Sequence, residues 1–207
     1  RSPAIATRIG NVYRIWEDWQ PALAAYDTAL DVAPHHPEAT IGRAISLSHL
    51  ERSDEAIETT TRLIDGGQWL LGEAYYWRAW NQLRLNNFQL ARADADRART
   101  LMSNSAVMVL SGVIEWRLGR LDSAEKDFEG ALAIDLGECE AAFDLGVVRD
   151  QLGKRVEALA AFKQAGHCLD LSITLRREAI DKIRSGNGSD SLKARDAARH
   201  ERTLVDL

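Results

Sequence analysis

The sequence predicts an all-α chain made of about five stacked helix pairs. Three observations carry this reading. Glycine (14) and proline (4) are scarce in 207 residues, while alanine, leucine, arginine and glutamate dominate. No alternating, turn-bounded stretch reads as a strand. Above all, two independent markers repeat in step. An Ala-x3-(aromatic or small)-x2-(small or Leu) pattern begins at Ala22, Ala56, Ala91, Ala124 and Ala158, at spacings of 34, 35, 33 and 34. A small residue lies about one helix upstream of each, at Gly10, Ala44, Ala79, Gly112 and Gly146, with the same irregular spacing.

The physical unit behind this rhythm is an antiparallel helix pair. A small residue in the first helix admits the second at close range, and the alanines of the second do the same in return. One pair cannot bury its apolar stripe alone, so it stacks on the next pair and a solenoid results.

Taken in order, repeat one (3–36) offers Ile9, Gly10 and Tyr13, then Ala22, Tyr26 and Ala29, and closes at Pro34. Repeat two (37–71) and repeat three (72–104) place Arg43-Ala44 and Arg78-Ala79 at the close-approach point, with Thr60 and Ala95 in place of an aromatic ring. Repeat two ends in Gly66-Gly67, which should loosen or lengthen its turn. Repeat four (105–138) offers Gly112, Ala124, Phe128 and Ala131, and repeat five (139–170) Leu145, Gly146, Ala158, Phe162 and Ala165. These residues resemble the tetratricopeptide repeat pattern, W-x2-L-G-x2-Y, then A-x3-F, then P, over about 34 residues. The resemblance covers residues 3 to 170 and implies a right-handed superhelical solenoid with a concave groove that binds extended peptides or partner helices.

Beyond the repeats, residues 171–184 carry Ile173, Ile180 and Ile183 among charges and are expected to form a separate capping helix. Residues 185–207 read as a flexible break followed by a charged tail.

The stretch "EAYYWRAWNQLRLNNF" (73–88) holds four of the chain's ten tryptophans and tyrosines. In the repeat register Tyr75 and Ala79 occupy packing positions. Tyr76, Trp80 and Leu83, with Trp77 beside them, form a second stripe about 100° around the helix. The resemblance places that stripe in the groove. Its counterparts are Ile41 and Ile45 in repeat two, Val109, Val113 and Trp116 in repeat four, and Phe143 and Val147 in repeat five. Arg84 and Arg117 are expected to flank it and to favour acidic flanks on a peptide. Repeat one offers a polar end in Thr7, Arg8, Asn11 and Arg14. The chaperone-binding members of the family clamp a C-terminal carboxylate with lysine and asparagine. Here Asn11 matches, with Arg8 nearby, but Thr7, Gly42, Glu73 and Trp77 supply no such clamp.

Other function classes find little support. A net charge of −5 and a pI near 5.6 give no footprint for nucleic acid. No apolar run approaches the roughly 20 residues of a membrane helix. No phosphate loop, HExxH or nucleophile elbow is present, so no catalytic residue, cofactor or metal is expected. His35-His36 in the Pro34–Pro37 turn read as solvated, and His49 and His167 as isolated. Cys139 and Cys168 fall where antiparallel packing brings two helix ends together, yet two reduced thiols are the expected state in a cytoplasmic chain. Asn187-Gly188-Ser189 is a weak glycosylation triplet. The start at Arg1 reads as a piece of a longer chain, compatible with a removed signal peptide. The expectation is a non-enzymatic scaffold for a protein or peptide ligand. Its rivals are self-assembly into a homo-oligomer through open solenoid ends, and a groove covered by the chain's own tail (Leu192, Leu204, Val205, Leu207).

Overall fold

The structure, a computed structural model, describes residues 2–67 and 69–185. Among the described residues are ten helices and no strand: α1 (Pro3–Ile15), α2 (Trp19–Val32), α3 (Pro37–His49), α4 (Ser53–Asp65), α5 (Leu71–Arg84), α6 (Phe88–Leu101), α7 (Ser105–Arg117), α8 (Leu121–Ile134), α9 (Cys139–Gln151) and α10 (Arg155–Ser185). They form two compact units, one ending at Ile134 and the other starting at Asp135. In the first unit α1 to α8 make four helix pairs. Each second helix also packs on the first helix of the next pair, and the first helices touch one another in sequence. The second unit pairs α9 with α10.

Local chemistry sets the helix limits. Prolines open α1 and α3, where a missing N–H is harmless. Asn104 accepts from the Val107 N–H at 3.0 Å and caps α7, while His36 Nδ1 accepts from Ala39 and caps α3. Every turn inside a pair is three residues long with a left-handed residue at its centre: Glu17, Glu51, Asn86, Gly119 and Gly153. The next residue's N–H then bonds a carbonyl five residues back, as Arg52 does to Leu47 and Arg120 to Glu115 at 2.9 Å. The Gly66-Gly67 turn comes out longer than its counterparts, spanning 66–70 against 33–36 and 102–104.

The repeat markers form the core. Ala22, Ala56, Ala91, Ala124 and Ala158 are all buried, and so are the small residues opposite them. The departures of repeats two and three now have a steric reason. A β-carbon on Gly10 would stand 2.6 Å from the Tyr26 ring, one on Gly112 2.8 Å from Phe128, and one on Gly146 2.5 Å from Phe162. Where the first helix carries alanine instead, at Ala44 and Ala79, the ring is gone and Thr60 or Ala95 fills the space. The adjoining arginines act as braces. Arg43 donates to Asp27 on α2 at 2.7 Å and to the Thr59 hydroxyl on α4. Arg78 makes a two-pronged pair with Asp94 on α6, both contacts 2.7 Å, and reaches Thr61 on α4 at 3.2 Å.

Two expectations change. Cys139 and Cys168 are joined by a disulfide between α9 and α10, with their α-carbons 5.5 Å apart, rather than standing as free thiols. The helix ends meet within bonding range, which sequence spacing allowed but could not require. The 171–184 segment is also not a separate helix, since α10 runs unbroken through it. No proline interrupts it, and the one glycine, Gly166, is exposed and tolerated within the helix. The side chains of Ile180 and Ile183, the glycosylation triplet and the tail lie outside the described residues.

The outer face of α1 stands apart from its equivalents. Ile5, Ile9, Val12 and Ile15 are 43% to 62% exposed. The positions matching Ile5 and Val12 on the later first helices are Ala39 and Ser46, Ala74 and Asn81, and Val107 and Ile114. None of these exceeds 1% exposure, because the preceding pair covers them.

Candidate functional site

α5 lies between α3 and α7, and its aromatic residues divide between those neighbours. Trp77 packs with Ile45 against the buried cluster of Ile41, Leu63 and Ala74 on the α3 side. Tyr76 and Leu83 pack against Ala79, Leu110 and Ile114 on the α7 side. Trp80 stands between them, 38% exposed. The rings meet edge to face, Tyr76 to Trp77 at 5.3 Å between centroids with planes 88° apart and Trp77 to Trp80 at 6.5 Å with planes 68° apart. Such contacts suit the ring quadrupoles and fix each ring against the next. Beneath this layer the buried Asn81 ties α5 to α3, donating to Ser48 Oγ and to the Trp77 carbonyl, both at 2.7 Å.

The layer extends further than its sequence suggests. His49 stacks flat on Trp19, centroids 3.8 Å apart and planes 3° from parallel, and lies 6.2 Å from Trp77. Partial desolvation lowers the His49 pKa, opposed by the Glu17 carboxylate and helped by the Arg84 charge. Neither Trp19 nor His49 was among the expected groove residues. A signal existed in the register: the first residue of a second helix lies under the last turn of the next first helix. Arg117 uses the same relation, with its guanidinium 5.4 Å over the Phe88 ring.

Val109, Val113 and Trp116 are half-buried on α7. Ile41, expected in the groove, is 8% exposed and belongs to the core, because Ala74 lets α5 close over it. The polar end is engaged internally. Asn11 accepts from the Tyr26 hydroxyl at 2.7 Å, and Thr7 donates to the Pro3 carbonyl. Arg14 faces the Tyr26 hydroxyl, and Arg8 is exposed.

Arg84 and Arg117 also turn away from the role expected of them. Arg84 donates to the Ser48 carbonyl at 2.8 Å and to Glu51 at 3.4 Å. Arg117 reaches Asn86 at 3.3 Å. Each arginine thus braces the left-handed turn of the preceding pair, where helix-end carbonyls attract a cation. By contrast, Glu73 lies one turn before Tyr76 and Trp77 and has no ion-pair partner among the described residues.

In the second unit Phe143 is exposed, with its ring 5.5 Å from Phe162, and Val147 is half-buried beside it. Burial, reinforced by the Glu140 carboxylate one turn earlier, pushes Asp144 up to about 6.

Two clefts open elsewhere in the first unit. One of about 270 Å³ between α6, α7 and α8 is lined by Arg92, Arg99, Glu115 and Asp127, whose charges pair with one another. The other, about 720 Å³, lies between α2, α3 and α4 beside the Arg43–Asp27 pair. Among the described residues no cluster suits a metal ion, and no helix is long and apolar enough to cross a membrane.

The chain is similar to several solved structures. A crystal structure of MamA is 23% identical, covering 80% of this chain and 97% of that one, with a TM-score of 0.68. YrrB, described as a TPR protein with an unusual peptide-binding site, is 22% identical, with coverage of 79% and 84% and a TM-score of 0.61. The Cut9–Hcn1 assembly of the APC/C is 16% identical, with coverage of 96% and 43% and a TM-score of 0.74. No curated protein matches the chain. The family model described as tetratricopeptide repeat matches residues 16–68 and 110–166, more than half of the chain. The family match runs from α2 through α4 and from α7 into α10, where sequence rhythm and buried markers agree with it, and the chain belongs to the tetratricopeptide repeat family.

Proposed function

We propose that this protein is a non-catalytic scaffold that docks an extended peptide or partner helix across the first helices of its repeats. Tetratricopeptide proteins typically act as protein-interaction scaffolds. The observation that carries the reading here is Trp80, left partly open within an otherwise packed aromatic layer while Ala79 and Leu110 already fill the core beneath it. A rigid aromatic surface loses little entropy on docking, so large rings placed centrally in it make strong anchors. Tyr76, Trp77, Trp80, Leu83, Val109, Val113 and Trp116 form the surface in the first unit, and Phe143 and Val147 offer a smaller one in the second. That YrrB is described as having a peptide-binding site agrees with this use of the fold.

The test is selection of a displayed random dodecapeptide library on the wild-type protein and on Trp80→Ala. Peptides held by the wild type are expected to lose about tenfold or more in affinity on the variant, roughly 1.4 kcal/mol. The melting temperature should move by no more than about 2 °C, as for a residue outside the core. A large fall in melting temperature would instead make Trp80 a packing residue.

A second reading, self-association, is favoured by the open aliphatic face of α1. Apolar faces of this kind mark association sites. Sedimentation velocity over a hundredfold range of concentration should show mass rising with concentration, and Ile9→Glu should abolish the rise. A constant monomer mass excludes it.

A further inference from the structure

Resting on the groove reading above, we infer that the ligand this surface takes is a basic peptide, placing a lysine or arginine side chain against Tyr76 and Trp80 with Glu73 as its counter-charge. The argument is one of charge and shape. Tyr76, Trp77 and Trp80 lie three, four and seven residues after Glu73, the steps that bring each of them to the glutamate's side of the helix. Glu73 therefore stands about one turn, or roughly 5 Å, before the first ring and two turns before Trp80.

The cations expected to line this surface are already committed. Arg84 is bonded to Ser48 and Glu51, and Arg117 lies over Phe88 beside Asn86. His49 is stacked flat on Trp19. Glu73 is half-buried and has no ion pair among the described residues. A glutamate in a helix's first turn is favourable through the peptide dipoles alone. What singles this one out is the aromatic wall it adjoins, since ring faces attract cations and a nearby carboxylate adds to that attraction.

The second unit repeats the motif by itself. Glu140 precedes the exposed Phe143 by one turn, and Asp144 lies beside it with no cation partner among the described residues. Two carboxylates one turn apart, with one of them partly desolvated, make an environment that an incoming cation relieves. A peptide carrying acidic residues here would meet like charges at both places.

The experiment is sequencing of dodecapeptides selected from a random display library on the full chain, on Glu73→Gln, on Glu73→Lys and on Trp80→Ala. Lysine plus arginine should be enriched at least threefold over the starting library on the wild type. That enrichment should fall on Glu73→Gln, leaving only the share that the second unit selects, and Glu73→Lys should add enrichment of aspartate plus glutamate. Circular dichroism melts should show the Glu73 variants folded as the wild type is. Peptides lost on Trp80→Ala but carrying no excess of basic residues would overturn this inference and leave the groove reading standing. Selections that are the same on the wild type and on Trp80→Ala would overturn both.

Discussion

Phe128→Ala is expected to destabilise the first unit by about 3–5 kcal/mol, the range for emptying a fully buried aromatic site. Phe128 has no exposed surface, and its ring lies against the bare backbone of Gly112. Gly112→Ala should cost about 1–3 kcal/mol for the opposite reason, since a β-carbon 2.8 Å from the ring forces a rigid neighbour to move. The informative variant is the double one. Repeats two and three already combine alanine in the first helix with a small partner in the second, at Ala44 with Thr60 and Ala79 with Ala95. Gly112→Ala/Phe128→Ala should therefore be less damaging than the two single changes added together, with a coupling of about 1–3 kcal/mol. Urea titrations of the four proteins followed by circular dichroism measure the cycle. Simple additivity would mean that the glycine and the ring do not depend on each other.

The second large effect concerns the disulfide. Cys139→Ser/Cys168→Ser, or reduction of the wild type, is expected to destabilise the α9–α10 unit by roughly 3 kcal/mol, the scale for a closed loop of this size. The two cysteines are 29 residues apart in sequence. Hydrogen exchange resolved by peptide should show α9 and α10 losing protection while α1 to α8 keep theirs. Protein prepared without reductant should titrate no free thiol when unfolded, and two after reduction. Two thiols before reduction would refute the bond.

The fold was legible in the sequence because its determinants are periodic. A close-approach residue and its alanine-rich partner recur five times, and each occurrence corrects the others. Even the departures carried meaning, since Arg43-Ala44 and Arg78-Ala79 coincide with the loss of a ring one helix later. The site was less legible, because it depends on which side chain an arginine or a ring meets across a turn. Arg84 could be placed at a helix end, but its bond to the Ser48 carbonyl arises only once α3 and α5 are side by side. Ile41 had the right register for the groove and was covered because its neighbour, Ala74, is small. Trp19 and His49 were passed over singly, since their stacking joins residues from two repeats. The disulfide and the unbroken course of α10 were likewise matters of tertiary distance and of a helix that nothing stops.

The division at Ile134 has an optical consequence. All six tryptophans and all four tyrosines precede it, and none follows. Intrinsic tryptophan emission therefore reports the first unit alone, whereas ellipticity reports both. A melt recorded in the two signals at once separates the units without any label or fragment. Whatever loss of helix appears while emission holds steady belongs to α9 and α10.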